Sequence, residues 1–431
     1  APAPAPALAR PGPTPAPLPL ALRLSGGFGD LLLAGRVVEA IRALAGHGPV
    51  TAYSDRPELA RLALGGRGLL AEARGLRDWP RAAGLRIEID QFLRFADAPE
   101  RWRASHPALA ELIARSADRI ASVRGLVARH PQLDGYWARF NLAAGRRRGD
   151  ALAWSAGFDP LAAPDAARIG HAAPLTLALD EADAGPRLRL DRAGARWITL
   201  HDGFDTSAGI RPGGAVKCWP LGHWEALVRQ LRAARPELKL VQIGGPTSRA
   251  IPGVDECLVS RIGLGEALWL VKGAALHIDG ESGLVHAARA LGTPAVVLFG
   301  PTDRDFFGYA GNLNLAADVC APCWWSTPDW MAHCPRGLAE PECMAALAPA
   351  EVADAALRRL ADDDAARAGA TPALPPAERA DPTARPAAPA APPPPARPPW
   401  PHPAHAASAV SPVTSTPHSA RAATRPALHP H

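Results

Sequence analysis

Lysine is nearly missing from this chain of 431 residues: only Lys217, Lys239 and Lys272 occur, against 47 Lys and Arg in total. Arginine therefore carries almost all of the positive charge behind the net +5. It forms no dense stripe interleaved with aromatics, so no nucleic-acid partner is expected. No run of about 18 apolar residues free of charge occurs, so no membrane-spanning helix is expected. The N-terminal residues lack the basic segment and compact apolar segment of a secretory signal. A cytoplasmic, reducing setting is the expectation, and there clustered cysteines hold metals more often than they form disulfides.

Proline, by contrast, is abundant, with 48 residues, and unevenly placed. Residues 1–19 read "APAPAPALARPGPTPAPLP", and residues 361–431 continue in a similar Pro/Ala-rich style. Neither segment shows apolar periodicity, and neither can bury enough surface to offset chain entropy. Both are expected to be disordered, which leaves residues 20–360 to fold.

Within that span the apolar pattern alternates between strand and helix periods. "PLALRLSGGFGDLLLAGRVVEAIRAL" reads as a strand, a glycine turn and a helix. "PVTAYSDRPELARLAL" repeats the plan, and "GLRIEID" is a further strand. Residues 101–147 look helical, with breaks at Pro107 and Pro131. A second series begins near Arg196: "RWITLHDG", "CWPLGHWEALVRQLRAARP", "LKLVQIGGP", "GEALWLVKGA", "ALHIDGESGLVHAARALG" and "TPAVVLFGP". Strands alternating with helices imply an α/β fold with parallel sheets covered on both faces. The restart after "DEADAGPRLRLDRAG", read as a linker, implies two doubly wound domains, 20–185 and 196–360. A cleft between their strand C-terminal edges is the expected ligand site.

Three segments carry candidate chemistry. In "SGGFGDLLL" the glycines let a ligand approach a helix N-terminus. Asp30 in that turn suits proton abstraction from a hydroxyl, or simple capping of the helix. Lys217, just before a proline-initiated helix, suits neutralisation of a leaving diphosphate, or a solvated surface. In "DGESGLVH", Gly283 opens a helix whose free amides suit a diphosphate. Ser282 there offers a hydroxyl, Glu281 an acceptor for sugar hydroxyls, and His286 either a phosphate contact or a packed ring.

"CAPCWWSTPDWMAHCPRGLAEPECM" places Cys320, Cys323, Cys334 and Cys343 together. One CxxC pair plus two further thiols suits a tetrahedral zinc or iron site. Four thiolates would close the coordination shell, so the expected metal is structural and pins a long loop. Trp324, Trp325 and Trp330 are expected to pack around it. Cys218 and Cys257 read as ordinary small apolar residues.

Taken in order, "GGFGDLLLAGRVVEAI", "KCWPLGHWEAL", "IGGP" and "DGESGLVHAARALGTPAVVLFGPTD" resemble glycosyltransferase family 9, the ADP-heptose heptosyltransferases. The cysteine segment and "HDGFD" look like the bacterial autotransporter heptosyltransferase group, whose four cysteines hold iron. The resemblance covers roughly residues 20–360 and implies a GT-B architecture. It implies an acceptor-side domain at 20–185, a donor-binding domain at 196–360 and a metal finger at 320–343. It implies Asp30 as general base, Lys217 on donor phosphate, and Glu281, Ser282, Gly283 and His286 as the donor loop. Glutamate at 281 stands where many members have aspartate. The turn Pro246-Thr247-Ser248 lacks the acidic residue that many members carry near the nucleoside. The implied activity is inverting transfer of heptose from ADP-heptose to Ser/Thr hydroxyls of an autotransporter adhesin. No catalytic divalent metal is needed for that, iron is favoured over zinc in the finger, and a homo-oligomer is a further expectation. Two other readings are a lipopolysaccharide-core heptosyltransferase and, in a different class, a non-catalytic sugar-nucleotide-binding or metal-sensing scaffold.

Overall fold

The computed structural model describes residues 16–80, 84–162, 164, 167, 169–204, 209–320 and 322–369. Two sheets organise them. The first contains β1 (Leu20–Leu24), β2 (Val50–Ser54), β3 (Glu72–Gly75), β4 (Leu85–Ile89) and β5 (Leu93–Asp97), in the order β3-β2-β1-β4-β5. Four of its strands run parallel, and β5 pairs antiparallel with β4. Only residues 90–92 separate β4 from β5, too few for a crossover, so the chain must return as a hairpin. The central strand β1 is buried at four of five positions, as expected of a parallel strand covered on both faces. Its helices are α1 (Phe28–Leu44), α2 (Pro57–Leu64), α3 (Pro107–Ser122), α4 (Asp134–Ala143) and α5 (Arg148–Ser155). Pro57 and Pro107 sit at helix starts, where proline's missing N–H costs nothing.

After α6 (Gly185–Arg192) the second sheet begins. Its strands are β6 (Arg196–His201), β7 (Leu238–Ile243), β8 (Glu256–Cys257), β9 (Leu276–Gly280), β10 (Ala295–Phe299) and β11 (Leu313–Ala316). All are parallel, in the order β11-β10-β9-β6-β7-β8. Around them lie α7 (Leu221–Ala234), α8 (Leu264–Gly273), α9 (Gly283–Leu291) and α10 (Pro349–Arg367). The strand order reverses between β1 and β4 in one sheet and between β6 and β9 in the other. Ligands bind at such switch points, beyond the strand C-termini. One apolar cluster runs through both halves, joining Leu22 and Phe28 to Leu284, Val285 and Val297. A second lies under α7 and α10.

Three boundaries differ from the sequence reading. The segment taken as a linker forms α6, whose Leu190 is buried. Its approach is anchored where the Trp269 indole donates to the Asp180 carbonyl at 2.6 Å. The segment looks like a linker because its apolar stripe is a single leucine among charges. Leu18, assigned to the disordered start, is buried, and its N–H donates to the Ala45 carbonyl at 2.9 Å. At the other end α10 continues to Arg367 rather than stopping at 360, because Asp363 and Asp364 pair with Arg196 at the start of β6. The remaining residues of 1–19 and 361–431 lie outside the described ones, apart from 16–19 and 361–369. Among the described residues no helix is long and apolar enough to cross a membrane.

Leu360 on α10 is fully buried in the second cluster. Leu360→Ala should destabilise the protein by about 2–5 kcal/mol in urea denaturation. A midpoint equal to wild type would show that α10 is not part of the core.

Candidate active site

The N-termini of α1 in the first half and α9 in the second meet. Gly29 of α1 lies against His286 of α9, so closely that a Cβ at residue 29 would collide with the imidazole. A Cβ on Gly283 would meet Gly29 N and Phe28 Cβ, each at 3.2 Å. Glycine at 29 thus makes room for the His286 ring, and glycine at 283 allows the close approach of the two helix starts. Each helix N-terminus carries about half a positive charge from its unpaired amides, so the apposition concentrates positive potential. A cavity of about 1050 Å³ opens at this junction. Asp30, Lys217, Glu281, Ser282, Gly283 and His286 all line it. All six residues singled out for acid–base and donor chemistry thus meet in one place, although more than 250 residues of sequence separate the first from the last.

Asp30 occupies the third position of α1, where its Oδ2 accepts from Gly27 N–H at 3.1 Å. It is a helix cap, as the plainer reading had it, but capping uses only one of its oxygens. Oδ1 accepts from Arg148 Nη2 at 3.0 Å. Arg148 is completely buried and also donates to the carbonyls of Asp90 and Gln91. Three fixed acceptors hold the guanidinium, and the guanidinium in turn fixes the carboxylate. Asp30 retains 27% exposure toward the cavity, so its remaining lone pairs stay open to a substrate hydroxyl.

Lys217 Nζ pairs with Glu281 Oε2 at 3.1 Å, with both side chains largely buried. This disposes of the solvated-surface reading. Ser282 caps α9 by accepting from Leu284 N–H at 3.1 Å, and its hydroxyl donates to Asp279 Oδ2 at 2.5 Å. Its proton is thus directed inward rather than offered to a ligand. His286 is buried, with Nδ1 at 2.6 Å from the Tyr309 hydroxyl. Burial pushes its pKa down and Tyr309's up. The Tyr309 ring stacks on His171, whose pKa burial pushes down to about 3. His286 is therefore a packed, neutral ring that still presents an edge to the cavity.

Two elements escaped the sequence reading. Arg148 sits in the run "GRRRGD", where nothing distinguishes one arginine from the next. His201 and Asp279 end β6 and β9 side by side, with His201 Nδ1 at 2.7 Å from Asp279 Oδ1. The phrase "HDGFD" was visible, but only sheet register brings its histidine to Asp279.

The cysteine segment lines the same cavity through Trp324, Trp325 and Trp330. Trp324 packs edge-on to Phe307 at 5.0 Å, and Met331 O accepts from Val216 N–H at 2.7 Å, beside Lys217. Cys320, Cys323, Cys334 and Cys343 are all free thiols. Among the described residues no group of three or more His, Cys, Asp or Glu is arranged to hold a metal. Yet the four thiols lie near enough to influence one another. Burial, with Cys334 and Cys320 nearby, pushes Cys323 up to about 11. Burial, with Cys320, Cys323 and Cys334 nearby, pushes Cys343 up to about 12.

Residues 201–335 match the family model for glycosyltransferase family 9 (heptosyltransferase). Lipopolysaccharide heptosyltransferase 1 of Pseudomonas aeruginosa is 27% identical over 153 residues, which cover 34% of this chain and 38% of that protein. The Salmonella typhimurium protein of the same name is 30% identical over 112 residues, 25% of this chain and 34% of that one. The chain thus spans little more than a third of the length of these curated relatives. In fold it is similar to the iron-containing dodecameric glycosyltransferase TibC from enterotoxigenic E. coli. The TM-score is 0.50 at 16% identity, covering 80% of this chain and 76% of TibC.

Gly29→Ala should force α1 away from α9, costing about 1–3 kcal/mol and closing part of the cavity. Thermal denaturation and a crystal structure of the variant check this. An unshifted melting temperature would mean that the two helix ends are not held in contact.

Proposed function

We propose that this protein is an inverting glycosyltransferase of GT-B architecture that transfers heptose from ADP-heptose to an acceptor hydroxyl. The observation that carries the reading is the convergence of Asp30, Lys217 and Glu281 on one cavity between the two sheets. The family match over residues 201–335 supports the donor half. In this reading residues 20–185 form the acceptor-side domain and residues 196–360 the donor-binding domain.

The chemistry follows from the contacts. Asp30, held by Arg148 and Gly27, takes the acceptor proton while the acceptor oxygen bonds to the anomeric carbon. The bond from that carbon to the diphosphate oxygen breaks, and ADP leaves. Lys217 and the amides at the start of α9, from Gly283 on, meet the charge that develops on the diphosphate. Glu281 accepts from donor hydroxyls while holding Lys217 in place. Ser282 acts by capping α9, and His286 by setting the distance between α1 and α9 and by offering its ring edge. All of these charges come from the protein, so this mechanism requires no catalytic divalent metal.

Cys320, Cys323, Cys334 and Cys343 are proposed to hold a structural metal. Iron is favoured over zinc because TibC is described as iron-containing. Closing four thiols around it would fix the tryptophan loop against the cavity. The cysteine segment also favours a protein acceptor, Ser/Thr hydroxyls of an autotransporter adhesin, and an oligomer, as in dodecameric TibC. The protein is proposed to act in the cytoplasm. The second reading, a lipopolysaccharide-core acceptor, is favoured by the names of the two curated relatives. Incubation with ADP-heptose and each acceptor, followed by mass spectrometry, separates the two.

Asp30→Asn keeps a side chain able to cap α1 but removes the base. Transfer should fall about 10²–10⁴-fold while ADP-heptose binding survives; normal turnover would remove Asp30 from its role. Cys320→Ser should lose bound metal and lower the melting temperature. Unchanged metal content by elemental analysis would sink the finger assignment.

A further inference from the structure

Asp279 lies at the end of β9, fully buried, and three donors converge on its carboxylate. His201 Nδ1 lies 2.7 Å from Oδ1, while His277 Nε2 at 3.2 Å and the Ser282 hydroxyl at 2.5 Å reach Oδ2. A buried carboxylate needs a compensating positive charge. The Ser282 hydroxyl cannot supply it. His277, with Nδ1 at 2.9 Å from the Thr199 hydroxyl, is enclosed on both sides. His201 makes the shorter histidine contact with Asp279 and also reaches the cavity, so it is the partner that can present the compensating charge to a ligand.

The opposite edge of His201 faces the cavity, which the residue lines together with Gly244 and Gly245. A Cβ on Gly203 would lie 2.7 Å from His201 Nε2 and 2.5 Å from Ser248 Oγ. A Cβ on Gly244 would collide with the same hydroxyl. Both glycines let the imidazole and the hydroxyl pack against bare backbone, and of the two side chains His201 lines the cavity whereas Ser248 is buried behind it. Ser248 is 6% exposed, and its Oγ has no hydrogen-bond partner among the described residues. The nearby Lys217 is already paired with Glu281. Asp202, the next residue after His201, is held by Arg249 Nε at 2.7 Å, Arg249 Nη2 at 3.0 Å and Trp224 Nε1 at 2.9 Å.

We infer that His201, charged by Asp279, donates from Nε2 to a phosphate oxygen of a nucleoside-diphosphate sugar. The inference rests on the donor-binding reading above and adds a second cation to it. Direction of titration agrees. Burial pushes the ring's pKa down, but Asp279's charge and hydrogen bond outweigh it and leave the value raised, with Asp202 adding to the rise and Lys217 opposing it. Asp279 is held well below the carboxylate range by the same pairing despite its burial. A ring with a raised pKa is charged below that value and loses its charge as pH rises through it. Donor affinity should therefore fall with rising pH across a point above the ordinary imidazole value.

Calorimetric titration with ADP-heptose tests this, because its phosphates are diesters and do not titrate in that range. Wild type should bind and weaken as pH rises. His201→Gln should bind on the order of 10- to 100-fold more weakly and lose the pH dependence. Wild-type binding with an unchanged, equally pH-dependent His201→Gln variant would overturn the inference while leaving the donor reading intact. Failure of wild type to bind any ADP-sugar would overturn both. If His201→Gln does not fold, the ring's own NMR titration in wild type decides: donor addition should raise its pKa, and an unmoved titration refutes the contact.

Discussion

The approach of two helix N-termini, α1 from the first sheet and α9 from the second, is the constraint on which the site depends. It leaves little room for a Cβ at 283 and seats His286 against the bare backbone of Gly29. Because α1 follows β1 and α9 follows β9, each a strand at a switch point, the approach also brings the two strand-end crevices together. Two positive helix ends in contact repel each other unless negative charge is supplied. Asp30 and Glu281 supply some of it permanently, and an anionic ligand would supply the rest. The fold is thus held in an arrangement that an anion stabilises, which is a physical reason for this junction to be the binding site.

Three acids at or just behind the cavity wall each have a basic partner. Asp30 has Arg148, Glu281 has Lys217, and Asp279 has His201. Partnered charges of this kind contribute little net stability, since desolvation offsets much of the attraction. Their effect is on geometry. Arg148, tied to two backbone carbonyls, cannot follow Asp30 if it moves, and Asp279, tied by three donors, cannot release His201 into another rotamer without loss. Such a site does not reorganise as charge shifts during reaction, and that rigidity is the main source of electrostatic catalysis.

Much of this was legible in the sequence. Strand and helix alternation depends on local periodicity, so the central strands and their helices could be read, as could the turns carrying Asp30 and Glu281, whereas the short or peripheral strands β3, β5, β8 and β11 could not. What could not be read depends on tertiary burial. Arg148 is one of three successive arginines, and only packing decides that it is fully buried. His201 and Asp279 are 78 positions apart, and their pairing exists only through the β6–β9 register. Leu18 and α6 were missed because a single leucine in a polar or proline-rich context gives no periodic signal, although one burial suffices to dock a segment. Ser282 was recognised as a donor-loop residue, but the direction of its proton was set by Asp279, which the motif alone does not reveal.

The cysteine segment joins these themes. Its tryptophans form one wall of the cavity, and its backbone bonds to Val216, next to Lys217. Burial makes charged thiols costly, so four of them beside one another favour either protonation or a shared cation. Without a cation the loop is held by the buried Trp324 and Trp330 and by backbone hydrogen bonds to Pro301 and Val216. With a cation the same loop would gain four strong bonds at one point, and the position of Lys217 would become tied to metal occupancy. A structural metal at this place would therefore influence donor binding without touching the donor. It would act through the short path from Cys334 by way of Met331 and Val216 to Lys217.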